Sequence, residues 1–355
     1  MKVRKEEKSV QAGAILIVGA ETPATGDEPR ALSAAGVSDR RLGLWEQPLA
    51  CLEILGRTTA ERMLERLLRE DLAFVSVLVD ANVSPLVSAI ARSSGNSDKV
   101  NIQVVADVWS AVTETLKSYS EGGIDHAVIA TASAYVECDL QDLLQFHRER
   151  RHAVTRGFDS QGALEFWVVE SDRADEVGLA FLSPHPDASA ASFYFVKPYV
   201  NRLATPRQLR QFVTEVLRGK CEARPAGCET RPGVWIDEGA QLHKRARIVA
   251  PAYIGRGSRV REDTLITRCS NVESYSCVDY GTVIEDSSIL ANSYVGIWLD
   301  VSHALVHGNK LLNLERDVVL EFSDGSLVRE NTVSKALRRE PALPLPAGPL
   351  AFASE

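Results

Sequence analysis

A Rossmann-like three-layer α/β domain followed by a parallel β-helix is the fold class predicted for this 355-residue chain, and three observations carry the prediction. From about residue 10 to 218, short apolar strands alternate with amphipathic helices, the pattern of a mostly parallel sheet covered on both faces. From Val234 onward the pattern changes to an aliphatic residue at every sixth position. Between the two, residues 219–233 hold Pro225, Gly227, Pro232 and Gly233, which mark a linker. The expected division is 1–218 for the α/β domain, 219–233 for the linker, 234–334 for the β-helix with a terminal cap, and 335–355 for a Pro-rich mobile tail.

In the first part the predicted strands are Ala14 to Val18, Phe74 to Val79, Ile102 to Val105, Ala127 to Ala130, Phe166 to Val169 and Ser192 to Val196. The first predicted helix, TTAERMLERLLRED, opens with a capping box of Thr58 and Glu61 and has Met63, Leu64, Leu67 and Leu68 on one face. Val108, Trp109, Val112 and Leu116 signal another, and DLQDLLQFHRER a third. The fourth, TPRQLRQFVTEVLRG, has Thr205 as N-cap, Pro206 at its first position and Gly219 past its end. Ligands in such sheets sit at the C-terminal ends of strands, so the loop after Gly19, in AILIVGAETPATGDEPR, is the expected site.

In the second part Ile236, Leu242, Ile248, Ile254, Val260, Ile266, Val272, Val278, Ile284 and Leu290 stand six apart. Two residues before each comes a mostly small one: Val234, Ala240, Ala246, Ala252, Ser258, Thr264, Ser270, Ser276, Thr282 and Ser288. Hexapeptides of this kind build three short strands per coil, with the aliphatic residue inward and the small one letting the chain turn. The phase then slips by one residue, to Val295 and Val301. Asn271, Asp279 and Glu285 are expected on the solvated outer face, and residues 308–334 as a cover for the exposed strand edges. Trp235, Trp298, Tyr253 and Tyr275 are expected to cap the coils or face the first domain.

A net charge of −8 offers no basic field for nucleic acid. No apolar stretch reaches membrane-span length and no signal-peptide pattern opens the chain, so a cytoplasmic location is expected. The six cysteines form neither a CxxC pair nor an extracellular framework, which favours reduced thiols over a metal site.

The stretch IDEGAQLHKRARIVAPAYIGRGSRV looks like the coil sequence of sugar-1-phosphate nucleotidyltransferases, the nucleotide-sugar pyrophosphorylases that carry a C-terminal left-handed β-helix. PLACLEILGRTTAERMLERL is similar to the same family's proline- and lysine-containing stretch with its following Gly-Lys-Pro and helix, and the resemblance spans residues 14 to 325 in outline. It implies attack of a sugar phosphate on the α-phosphorus of a nucleoside triphosphate, with release of pyrophosphate. That chemistry needs backbone donors, cationic side chains and Mg²⁺ on carboxylates.

Position by position, the sequence departs from this pattern. The glycine-rich loop is reduced to Gly19 and Gly26 and gains Glu21, Pro23, Asp27 and Glu28, with Arg30 as a replacement for the family's arginine. Pro48 keeps the proline, but Leu49 stands at the lysine and Glu53 where a proline is usual. Ala132 and Ser133 occupy the Gly-Asp pair holding the first Mg²⁺ ligand, and Arg202, ahead of Thr205 and Pro206, occupies the second. Asp125, Glu137 and Asp139 could be nominated as substitutes, but capping or surface roles are favoured. The candidate ligand pocket is therefore Gly19, Gly26, Arg30, Ser133 and Arg202, with no catalytic residue, no metal ligand and no cofactor assigned. Arg202 could hold a nucleotide or sugar phosphate without turning it over.

The leading expectation is a family member that has lost catalysis and serves as a regulatory or scaffolding subunit in nucleotide-sugar metabolism, as a homo-oligomer or beside an active paralogous subunit. One alternative is an active nucleotidyltransferase with displaced ligands and Mg²⁺. Another is a hexapeptide acyltransferase using His243, His303 or His307 as general base.

Overall fold

The computed structural model describes residues 11–19, 52–93, 95, 98–174 and 191–331. Its first part has nine strands among the described residues: β1 (Ala12–Val18), β2 (Val75–Asp80), β3 (Val100–Val105), β4 (His126–Thr131), β5 (Tyr135–Cys138), β6 (Val154–Asp159), β7 (Gly162–Glu170), β8 (Ala191–Phe195) and β9 (Pro198–Asn201). Seven of them form one sheet in the order β3-β2-β1-β4-β7-β6-β8, and β5 pairs with β9 separately. The first four in that order run parallel. β7 is antiparallel to both β4 and β6, and β8 runs parallel to β6. The antiparallel β6–β7 hairpin departs from the sequence reading, which saw β7 and missed β6. TRGFD, with Arg156, Gly157 and Asp159, lacks the apolar run of a buried strand.

The helices are α1 (Thr59–Arg69), α2 (Val87–Ser93), α3 (Val108–Glu121), α4 (Leu140–Arg150) and α5 (Pro206–Leu217). β1 is apolar throughout because both its faces are covered. Ala14, Leu16 and Val18 pack with α1, α4 and α5, whereas Ile15 and Ile17 pack with Val112, Leu116 and Tyr119 of α3. Burying one such Leu or Ile contributes about 2 kcal/mol. The Thr58–Glu61 capping box and the Thr205 N-cap both form.

In the C-terminal part many short strands stack in three mainly parallel ladders, a geometry compatible with a β-helix. Trp235 pairs with Tyr253 and Tyr253 with Asn271, eighteen residues on each time. The ladders share one core, to which Ile254, Val272 and Ile289 come from the first, Val260 and Val278 from the second, and Ile266 and Ile284 from the third. The phase slip comes earlier than the sequence suggests, because Asn271 pairs with Ser288 and Val272 with Ile289, only seventeen residues on. Ile289 thus takes the inward place expected for Leu290, which turns outward and joins the core of the α/β region.

The small residues do more than allow a turn. Ser258, Thr264, Ser270, Ser276, Thr282 and Ser287 each donate a hydroxyl hydrogen bond to a carbonyl of the next rung. In the last rungs the same oxygens accept a backbone N–H in return, as Ser276 Oγ does from Ser293 at 3.2 Å.

Both ends of the stack are finished by antiparallel strands. Cys228–Arg231, inside the expected linker, covers Val234–Ile236, and Arg231 donates to the Ile248 carbonyl. At the other end the hairpin Lys310–Asn313 with Val318–Glu321 extends one ladder, and Val328–Glu330 covers Ser293–Val295. No described helix is long and apolar enough to cross a membrane.

Candidate functional site

Three of the predicted pocket residues, Gly19, Ser133 and Arg202, fall at one edge of the seven-stranded sheet, where β1, β4 and β6 end and β7 begins. Gly19 follows β1 with φ +89°, and a Cβ there would lie 2.1 Å from Cγ2 of Val83. Val83 belongs to the 3-10 turn Ala81–Leu86 after β2. The glycine is thus demanded by a packed valine beside it. Gly26 and Arg30 lie outside the described residues, as do Leu49 and the tail 335–355.

Ser133 stands two residues past the end of β4, whose Thr131 is level with Ile17. Its hydroxyl and that of Thr131 both donate to Oε2 of Glu165 on β7, at 2.9 and 2.7 Å. Arg202 follows β9 and closes the tip of the β6–β7 hairpin. Its Nε and Nη2 donate to the two carboxylate oxygens of Asp159 at 3.1 and 2.6 Å, and its Nη1 and Nη2 to the carbonyls of Ala163 and Gly162. Burial alone would raise the Asp159 carboxyl, but the hydrogen bonds from Arg202 and from the hairpin backbone hold it below the usual carboxylate range. A fork–fork pair of this kind is charge-assisted and strong, so the guanidinium is committed to its own hairpin.

Among the described residues, this edge can accept hydrogen-bond donors but has little with which to grip a phosphate. Nor do its residues fit Mg²⁺. The two ligand positions offer a neutral hydroxyl and a cation, while the carboxylates Asp159 and Glu165 are already hydrogen-bonded to Arg202, Thr131 and Ser133. The nominated substitutes have other work: Asp139 N-caps α4, Glu137 accepts from Tyr135 and the Glu222 backbone, and Asp125 accepts from Gln11 at the opposite end of β4. Among the described residues no group of three or more His, Cys, Asp or Glu is placed to hold a metal.

No protein-family model matches the chain, and no curated protein matches it.

The histidines weighed for acyl transfer have partners in the ladder region. His303 Nδ1 meets Asp286 at 2.7 Å, whereas His243 Nδ1 accepts the Arg245 N–H. Sequence reasoning missed the most buried polar constellation, which joins the two parts of the chain. Glu273, fully buried, accepts the N–H groups of Leu55 and Gly56 at 2.6 and 3.0 Å and the amide of Asn271 at 2.5 Å. Leu55 and Gly56 both have positive φ, which turns their N–H groups toward one carboxyl group. A Cβ on Gly56 would lie 2.3 Å from the Tyr253 hydroxyl. Asn271, expected in solvent, is buried because its ladder faces the α/β region, and Trp235 and Tyr253 pack into the same contact. Trp298 is instead 69% exposed.

Around this joint, Arg62 donates to the carbonyls of Ile54, Leu55 and Arg224, and Ser274 donates to Glu53. Farther along, Arg210 of α5 donates to the Asp286 carboxylate at 2.8 Å and to the carbonyls of Asp286 and Cys269. The one available signal was the segment PLACLEILGR, whose resemblance directed attention to its missing lysine rather than to its backbone.

Proposed function

We propose that the chain is a sugar-1-phosphate nucleotidyltransferase-like protein with a left-handed β-helix, one that has given up turnover and serves as a regulatory or scaffolding subunit in cytoplasmic nucleotide-sugar metabolism. The observation that carries this reading is the state of Arg202. A cation standing at a metal-ligand position is bound bidentately by Asp159 and donates to two hairpin carbonyls. Two further features support it: Gly19 accommodates Val83, and the segment beginning at Leu52 is fastened to the C-terminal ladders through Glu273. What is preserved is the frame and its joint, which is what a subunit acting through contacts needs.

The test is pyrophosphate release by the purified chain with Mg²⁺, a panel of nucleoside triphosphates and sugar 1-phosphates. No release above a protein-free control is expected. Mg²⁺-dependent release above that control would end the proposal.

A further inference from the structure

The outer face of the four-stranded ladder carries a charge pattern that complements itself. Its strands are Arg247–Ile248, Leu265–Thr267, Val283–Glu285 and Asp300–Ser302, stacked in that order. The inward residues Ile248, Ile266, Ile284 and Val301 fill the core, so the residues before them point out. Read along the stack, the outward column is Arg247, Leu265, Val283 and Asp300, in register from rung to rung. The two ends are exposed and of opposite charge, and the aliphatic pair between them is partly exposed. A second column, Val249, Thr267, Glu285 and Ser302, runs beside it, with Val249 43% exposed.

We infer that this face packs against the same face of a second copy, about a two-fold axis lying in the interface and parallel to the strands. Such an axis reverses the stacking direction and keeps each column on itself. Arg247 of one copy then meets Asp300 of the other, twice per dimer, and Leu265 meets Val283. In the second column the Thr267 hydroxyl comes opposite the Glu285 carboxylate. A two-fold axis along the stacking direction would instead keep each rung at its own level and leave both charges without partners.

The other two ladders do not offer this match. The outer face of the longest ladder is covered by the α/β region through Trp235, Tyr253, Leu305 and Leu312. The five-stranded one has Gln241, Arg259, Cys277, Tyr294 and Arg329 as its outward column, which carries no acid to meet its two arginines. Four strands of two or three residues at about 4.8 Å spacing give a face about 15 Å by 10 Å, well below the roughly 800 Å² per partner of a standard interface. The dimer is therefore of the weak class, with a marked dependence on salt.

Sedimentation equilibrium of the full chain at low ionic strength tests the inference. The wild type should dimerise, and Arg247→Glu and Asp300→Arg should each weaken dimerisation by at least about tenfold by setting like charges face to face. Mixing the two single variants should restore a heterodimer, because each Glu then meets an Arg and each remaining Arg an Asp. The double variant should dimerise alone. A wild type that stays monomeric up to the highest soluble concentration would overturn the inference, as would single variants that dimerise unchanged or a mixture that stays monomeric. Both positions are exposed, and recovery in the mixture is itself the proof that the variants are folded.

Discussion

Glu273 illustrates how one side chain can serve as both fastening and sensor. Burial, and then the nearby Glu53 charge, push its carboxyl up to about 8. A folded acid whose affinity for protons exceeds that of the unfolded chain stabilises fully below its ordinary value of 4.5 and loses that contribution as pH rises through about 8. His147 works in the opposite sense, since burial lowers it to about 4 and its effect is complete by 6.5. The window above 6.5 is therefore the one in which to see Glu273. Urea unfolding from pH 6.5 to 8.5 should show falling stability in the wild type. Glu273→Gln should flatten that slope while lowering the starting value, because its NH₂ faces the Gly56 N–H. An equal slope in the variant would assign the effect to another group.

At the scale of elements, the hydroxyl ladder connects successive rungs. Ser276 donates to the Leu290 carbonyl at 2.9 Å and accepts from the Ser293 N–H. Ser276→Ala would leave both backbone groups buried and unpaired, a cost of about 1–3 kcal/mol, measurable as a lower urea midpoint at unchanged m-value. A loss within error of zero would mean that the rungs repack. The elements also show what a sequence can and cannot reveal. α1 and α5 were legible because a cap, a stop and an apolar stripe agree, and the ladder because inward residues repeat. β6 was not, because its edge-like composition is explained only by Arg202, forty-three residues away, locking Asp159. Asn271 was misread for the same reason: its burial depends on a surface contributed by a distant segment. Of the candidate site, the edge of the sheet was foreseeable, whereas the partners of Ser133 and Arg202 depend on which strand folds beside which.

For the whole molecule, the joint between the two regions sets deeply buried polar contacts inside an apolar one. Arg210 is 5% exposed and reaches Asp286 and two carbonyls of the C-terminal ladders. Arg210→Ala should cost about 1–3 kcal/mol, because the carbonyls of Asp286 and Cys269 lose their donor, and resolve a single calorimetric transition into two; one transition at a lower midpoint would mean that the remaining contacts suffice to couple the regions. The seventeen-residue rung belongs to this scale as well. It acts on the structure as a frameshift acts on a message: everything downstream keeps its spelling and changes its meaning, so that Leu290, written for the inside of the stack, is read into the joint. A chain corrected to the perfect period would put Leu290 back inside the stack and take one apolar anchor from the joint. The flaw in the repeat is a point of attachment, and restoring regularity would make a better ladder and a worse partner for the α/β region.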